Sequence, residues 1–190
     1  MTVLGVILAR AGSKRVPGKN KRTLAGQSLT MWAVGCGMIC PFIDELVVSS
    51  DDDDILEECR QFCKVVRRPK EMATDDASPY PAMLHALDEM GPHDHLCLLQ
   101  PTSPFRSIED VMNCIILCER NDLPAVASVE VGKKVPNGAV YVGRTDWLRD
   151  GGCFDGPAVG RYFMPPDRSL DIDTEDDFEQ ARQMVGGWMA

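Results

Sequence analysis

The stretch Thr2-Val3-Leu4-Gly5-Val6-Ile7-Leu8-Ala9-Arg10-Ala11-Gly12-Ser13-Lys14-Arg15-Val16-Pro17-Gly18-Lys19-Asn20-Lys21-Arg22 changes character once, at Arg10. From Thr2 to Ala9 it is a continuous apolar run, the reading of a buried parallel strand. From Arg10 on it is a loop in which Gly12 and Gly18 stand among cations. Glycine lets the backbone approach a ligand closely, and several amide N–H groups can then point at one anion. The loop is not a Walker A loop, because Gly12 and Gly18 are six apart and Asn20 stands where Ser or Thr is needed. It is not G-x-G-x-x-G either.

The rest of the chain repeats the strand–helix alternation. Ser28 to Cys40 reads as a helix stopped by Pro41, and Glu45 to Ser49 as a strand. A helix capped by Ser50 and opened by Asp51 to Asp54 follows, then a strand over Lys64 to Val66. Pro79 to Met90 is predicted helical and Asp94 to Leu99 a buried strand, ending in the rigid loop Gln100-Pro101-Thr102-Ser103-Pro104. Ser107 caps a helix to about Arg120. Ala125 to Val131, Asn137 to Val142 and Arg161 to Met164 read as strands, and Thr174 caps a last helix to about Val185. This pattern predicts an α/β fold, a Rossmann-like, mainly parallel sheet sandwiched by helices. Ligands on such sheets bind at the carboxyl ends of the strands. The 190 residues suit a single domain, 1–190.

Charge sharpens the reading. The net charge is −9, yet no acidic residue precedes Asp44, so Met1 to Ile43 carries +6 and the remainder −15. An acidic chain is a poor general partner for nucleic acid or anionic membrane, whereas a compact basic island suits a small polyanion such as a phosphate chain. A solvated basic loop is the other reading of the island. No apolar run approaches the roughly 18 residues of a membrane span, and the short apolar N-terminus lacks a basic n-region, so a cytoplasmic location is expected. Six of the eight cysteines pair four apart, Cys36/Cys40, Cys59/Cys63 and Cys114/Cys118, in stretches that read as helix. Free thiols packed against the sheet are expected rather than zinc ligands. His93 and His95 read as a polar turn before a strand. Asp171 and Asp173, taken alone, read either as a solvated turn before the Thr174 cap or as paired hard-oxygen ligands. Gln100 is either a strand-end residue bonding its own loop or a ligand contact.

Taken together, the segments resemble the acylneuraminate cytidylyltransferases, or CMP-sialate synthases, and relatives acting on other nonulosonic acids. The resemblance rests on the basic loop; on Arg68-Pro69 with Ala73-Thr74-Asp75 and Ser78; on Leu99-Gln100-Pro101-Thr102-Ser103-Pro104-Phe105-Arg106; on Asn137-Gly138-Ala139-Val140-Tyr141; and on Asp171-Ile172-Asp173-Thr174-Glu175-Asp176-Asp177-Phe178, in family order. It implies the nucleotide-diphospho-sugar transferase type of fold and transfer of CMP from CTP to a nine-carbon α-keto acid sugar, with release of pyrophosphate. A sugar-1-phosphate nucleotidyltransferase and a non-catalytic nucleotide-binding remnant are the alternatives.

The resemblance also implies roles. Arg10, Ser13, Lys14 and Lys19 match residues that hold the CTP phosphates, with Asn20 beside them. Arg68, Ser78 and Gln100 match positions around the nucleotide and the sugar, and Tyr141, Tyr162 and Phe163 fall where the family places aromatics near its sugar acid. Asp171 and Asp173 match its magnesium carboxylates. Arg10, Lys14, Lys19 and Asp173 are the expected catalytic residues, with Asp173 the candidate to accept the proton of the attacking hydroxyl. One segment departs from the pattern. Near 131–137, where the family carries a long excursion with sugar-binding cations and a dimerisation arm, only Gly132-Lys133-Lys134-Val135-Pro136 remains. A monomer, or a dimer not built by that arm, is expected.

Overall fold

A computed structural model describes residues 1–74 and 78–188, the side chains of 187 and 188 excepted. Asp75 of the Ala73-Thr74-Asp75 segment lies outside the described residues. The opening apolar run forms β1 (Val3–Leu8), with Val3 and Ile7 entering one core layer and Leu4 and Val6 the other. Both faces are covered, which is why the strand shows no alternation. A two-residue hairpin, β2 (Thr23–Leu24) with β3 (Gln27–Ser28), leads into α1 (Leu29–Ile39). Next come β4 (Glu45–Ser50), α2 (Asp53–Cys59), β5 (Lys64–Arg67), α3 (Pro79–Met90), β6 (His95–Leu99) and α4 (Ile108–Arg120). The chain closes with β7 (Ala125–Glu130), β8 (Pro136–Arg144), α5 (Thr145–Arg149), β9 (Gly160–Met164) and α6 (Glu175–Trp188).

The main sheet has the order β5-β4-β1-β6-β8-β7-β9. It is mainly parallel, as expected, with β8 the antiparallel insert between β6 and β7. Because β8 runs backwards, its start lies at the same edge as the carboxyl ends of β1, β4, β6 and β7. That edge therefore gathers the basic loop after β1, Arg68 after β5, Gln100 after β6, Asn137-Gly138 at the start of β8, and the segment that follows β9. Two cores flank the sheet. A third cluster, including Leu24, Phe105, Ile172 and Phe178, packs α6 under this edge.

Some local expectations change. Asp52, not Ser50, caps α2: its Oδ1 accepts from the N–H groups of Asp54 (2.9 Å) and Ile55 (3.4 Å). A carboxylate at that position also meets the positive end of the helix dipole. The Ser50 hydroxyl instead accepts from the Asp52 N–H at 3.0 Å. Helix α2 stops at Cys59 and α1 at Ile39, so of the three cysteine pairs only Cys114/Cys118 lies wholly inside a helix. All eight cysteines are free thiols, and burial pushes Cys59 up to about 12 and Cys118 to about 11, which keeps them protonated and inert. The hairpin β2–β3 and helix α5 are too short to leave a periodic signal. Among the described residues no helix is long and apolar enough to cross a membrane.

Candidate active site

The basic loop is fixed at both ends. The Ala9 N–H donates to the Ser49 carbonyl at 3.0 Å, and the Ala11 N–H to Asp51 Oδ1 at 2.9 Å. Asn20 is buried; its Nδ2 donates to the Arg10 carbonyl (3.0 Å) while its own carbonyl accepts from Thr30 Oγ1 (2.9 Å). Asn20 thus holds the loop closed from inside. Arg22, at the loop's exit, stacks 3.9 Å from the Phe178 ring and pairs with Glu175, docking the loop on α6.

Between this loop, the end of β6 and the start of α3 lies a cleft of about 470 Å³. Arg10, Arg15, Lys19 and Arg68 line it, and among the described lining residues there is no carboxylate. Asn20, Ser78 and Gln100 complete the set expected from the sequence; Ser13 and Lys14 sit on the loop outside the lining. Arg68 is buried, donating from Nε to Ser49 Oγ (3.2 Å) and from Nη2 to the Ser49 carbonyl (2.5 Å). Burial, with Arg10 nearby, lowers its guanidinium to about 10, and Asp51 partly offsets this, so Arg68 is charged at neutral pH. Four cations on one cleft of a net-acidic chain make an anion site with room for a nucleoside triphosphate. Arg15, Thr74 and Thr102 are lining residues that stood in the quoted segments without being assigned a role.

The Asp171-Ile172-Asp173 segment reaches this cleft because Ile172 anchors it. The Ile172 side chain is fully buried in the third cluster, and its N–H donates to the Thr102 carbonyl at 2.8 Å. Lys19 Nζ donates to the Ile172 carbonyl (2.8 Å) and to Asp173 Oδ1 (3.0 Å), while Arg15 pairs with Asp173 Oδ2 at 3.2 Å. The Thr174 hydroxyl and the Asp177 carboxylate cap α6 reciprocally, which sets the segment's exit. Asp171 points inward. Its Oδ1 is buried without a hydrogen-bond partner, and burial raises its carboxyl above the usual range against the lowering effect of Thr102. Gly138 makes room for it. A Cβ there would lie 3.2 Å from Asp171 Oδ2 and 3.4 Å from Gln100 Oε1, and the backbone φ of +82° favours glycine. An orphaned, buried hard-oxygen donor beside an anion cleft fits a divalent cation.

The stretch between β9 and Asp171 is held by a buried carboxylate. Asp110 is fully buried and takes Arg168 through two bonds, Nε to Oδ2 (2.9 Å) and Nη2 to Oδ1 (3.0 Å), besides closing the Ser107 capping box of α4. Arg168→Ala should lower the unfolding free energy by about 2 kcal/mol, below the roughly 3–5 kcal/mol of a wholly buried pair because Arg168 is partly exposed. Urea unfolding checks this; an unshifted midpoint would show that the pair does not hold the segment.

The expected sugar-side aromatics lie as follows. Tyr141 packs against Phe154 with ring centroids 5.0 Å apart. The Tyr162 hydroxyl donates to Asp110 Oδ1 (3.3 Å) and accepts from Asn113 Nδ2 (3.2 Å). Phe163 lies exposed on the edge strand β9. None of the three is among the lining residues of the basic cleft or of a second cleft nearby. That second cleft, about 480 Å³, is lined by Glu130, Lys133, Asn137, Ser169, Asp171 and Gln180, among others. Asp171 therefore borders one cleft, while beside Gly138 its carboxylate lies on the side of Gln100 and Thr102, which line the other.

Comparison with known proteins bears on this geometry. The chain is 36% identical over 121 residues to CMP-N,N'-diacetyllegionaminic acid synthase of Legionella pneumophila, covering 60% of this chain and 52% of that protein. It is 24% identical to the N-acylneuraminate cytidylyltransferase of Escherichia coli, covering 94% of this chain and 51% of that protein. The chain thus spans about half the length of the curated relatives it matches. The Escherichia coli alignment runs over 213 positions against 190 residues here, so that relative carries extra residues between matched segments. In fold, the chain is similar to a CMP:2-keto-3-deoxy-manno-octonic acid synthetase solved with CTP (TM-score 0.81, 15% identity, covering 99% of this chain and 100% of that one). It is also similar to Rv0371c of Mycobacterium tuberculosis, solved with manganese (TM-score 0.67, 14% identity, covering 96% and 99%). Both likenesses bear out the fold expected from the sequence, a mainly parallel sheet sandwiched by helices. The family model described as Cytidylyltransferase matches residues 4–135, from the first strand through the basic loop and Gln100 to the threshold of β8, and the chain belongs to that family.

Proposed function

We propose that the chain transfers CMP from CTP to the anomeric hydroxyl of a nine-carbon α-keto acid sugar, with release of pyrophosphate. The observation that carries this reading is the cleft lined by Arg10, Arg15, Lys19 and Arg68 with the Asp171–Asp173 segment docked on it through Lys19. Family membership supports CTP as the nucleotide, and the relatives' names support a nonulosonic acid as the acceptor. Arg10, Ser13, Lys14 and Lys19 receive the phosphates, Asn20 keeps the loop shaped to do so, and Arg68, Ser78 and Gln100 bound the nucleotide. Gln100 also meets the acceptor. Asp171 and Asp173 are the residues that would hold Mg²⁺, with hard oxygen ligands of the kind it prefers. The bound ion supplies charge neutralisation at the α-phosphate.

The residues divide the work of an in-line displacement. The acceptor oxygen forms a bond to the α-phosphorus as the bond to the β-phosphate oxygen breaks, so negative charge grows on the departing pyrophosphate. Lys19 and Arg15 are placed to meet that charge. Both pair with Asp173, and turning them toward the phosphates would free its carboxylate to accept the proton of the attacking hydroxyl.

The chain acts as one cytoplasmic nucleotidyltransferase unit whose partners are CTP and the acid sugar. Residues 131–135 join β7 to β8 directly, too few to bury the roughly 1,200 Å² of a stable interface as an exchanged arm. Sedimentation velocity should show a monomer, or a dimer that survives Val131→Ser/Val135→Ser; a dimer lost in that variant would contradict this. The function itself is tested by a pyrophosphate-release matrix of four nucleoside triphosphates against nonulosonic acids and sugar phosphates. Release should require CTP and a nonulosonic acid together. Equal or better release with a sugar-1-phosphate and another nucleotide would overturn the assignment.

A further inference from the structure

The ladder between β6 and β8 ends with Leu99 opposite Val140. One step further, Gln100 and Ala139 would face each other, and there the strands are bridged by a side chain. Arg106 donates from Nη2 to the Gln100 carbonyl, from Nη1 to the Ala139 carbonyl (3.2 Å) and from Nε to the Ser103 carbonyl (3.3 Å). The guanidinium is buried, and among the described residues none of its hydrogen bonds goes to a carboxylate; Asp171 and Asp110 act on it through space. Burying a cation without an ion-pair partner is costly. Packing alone does not call for it, since an apolar side chain or a neutral amide would fill the space at lower desolvation cost. A planar fork does two further things: it fixes three carbonyls in one rigid geometry, and it sets a positive charge behind Asp171.

We propose that Arg106 is a positioning residue: by clamping Gln100 to Ala139 it sets the gap over Gly138 that Asp171 and Gln100 both border, and so makes Asp171 competent to capture a divalent cation. The gap is narrow. A single added carbon at Gly138 would lie 3.2 Å from Asp171 Oδ2 and 3.4 Å from Gln100 Oε1. Arg106 does not line the cleft itself and reaches it through the Gln100 carbonyl, so its influence runs through Gln100 and Asp171. This inference rests on the functional reading above, and it deepens it by assigning metal capture to a device outside the ligand set.

The test measures binding of Mn²⁺, by loss of its free-ion EPR signal, to CTP-loaded wild type, Arg106→Lys and Gly138→Ala. Lysine keeps the charge but cannot span three carbonyls; alanine at 138 disturbs the same gap with Arg106 intact, so the question survives if Arg106→Lys fails to fold. Loss of a group that orients a metal ligand typically weakens metal binding by about 10- to 100-fold. Both variants should weaken Mn²⁺ by about tenfold or more while metal-free CTP affinity stays within about threefold of wild type, and saturating Mn²⁺ should restore much of the lost turnover. Wild-type Mn²⁺ affinity in Gly138→Ala or Arg106→Lys would overturn the inference, as would a turnover loss that excess Mn²⁺ leaves untouched. Wild-type protein that binds no Mn²⁺ in the presence of CTP would instead defeat the functional reading, and this inference with it.

Discussion

Asp171→Asn should reduce CTP-dependent pyrophosphate release by about 10²- to 10³-fold while leaving the fold intact. Lewis-acid stabilisation of a reacting phosphoryl group supplies several kcal/mol, and each 1.36 kcal/mol is about tenfold in rate. Asp171 is the residue on which that contribution turns, because its Oδ1 is buried and has no hydrogen-bond partner to lose. The fold is spared for the same reason. The segment is anchored by the buried Ile172 and by the Ile172 N–H on the Thr102 carbonyl, neither of which involves the Asp171 carboxylate. A neutral amide of the same shape also removes the cost of burying a charge. Steady-state kinetics at several Mg²⁺ concentrations check the result, with thermal unfolding as the control. Turnover within a few-fold of wild type in Asp171→Asn/Asp173→Asn would remove both residues from the metal site.

Lys19→Ala has the second largest expected effect and a different signature. Losing a charge-assisted hydrogen bond costs about 1.5–3 kcal/mol, roughly 10- to 150-fold. Lys19 stands to lose more than one such bond, because its Nζ bridges the Ile172 carbonyl and Asp173 Oδ1. The KM for CTP should therefore rise and kcat fall together, the first from the lost phosphate contact and the second from a loosened Asp173. Lys14→Ala should be milder, since Lys14 is on the same loop but outside the lining of the cleft. Measuring kcat and KM for both variants decides the order. Lys14→Ala as damaging as Lys19→Ala would mean that the loop reshapes when the nucleotide binds.

These expectations trace back to residues of unequal legibility. The strand at Val3 and the cations at Arg10 and Lys19 were readable because an apolar run and a charge contrast are local properties of the chain. Asp171 and Asp173 were readable as a pair, but Lys19 reaching Asp173 across 154 residues was not; β9 lies four strands from β1, and the segment after it meets the basic loop only because Ile172 docks on the Thr102 carbonyl, in the loop after β6. Tyr141 and Tyr162 show the converse. A tyrosine in a strand is equally compatible with a ligand and with a neighbour, and the structure gives these two Phe154 and Asp110 as partners. Arg106 and Gly138 stood in the quoted family segments without a role, and Arg168 gave no signal at all. The burial of Arg106 and the pairing of Arg168 with the buried Asp110 are tertiary facts with no periodic signal, and the function of Gly138 as a gap for Asp171 needs the carboxylate in place.

The central claim is that the chain joins CMP to an acid sugar, and ³¹P NMR of a reaction containing protein, CTP, Mg²⁺ and a nonulosonic acid tests it most directly. The three CTP resonances should be replaced by one phosphodiester signal and pyrophosphate in equal amounts, and only when the sugar acid is present. Persistence of CTP with the sugar acid, hydrolysis to CMP or CDP regardless of sugar, or paired diphosphodiester signals from a sugar-1-phosphate would contradict it.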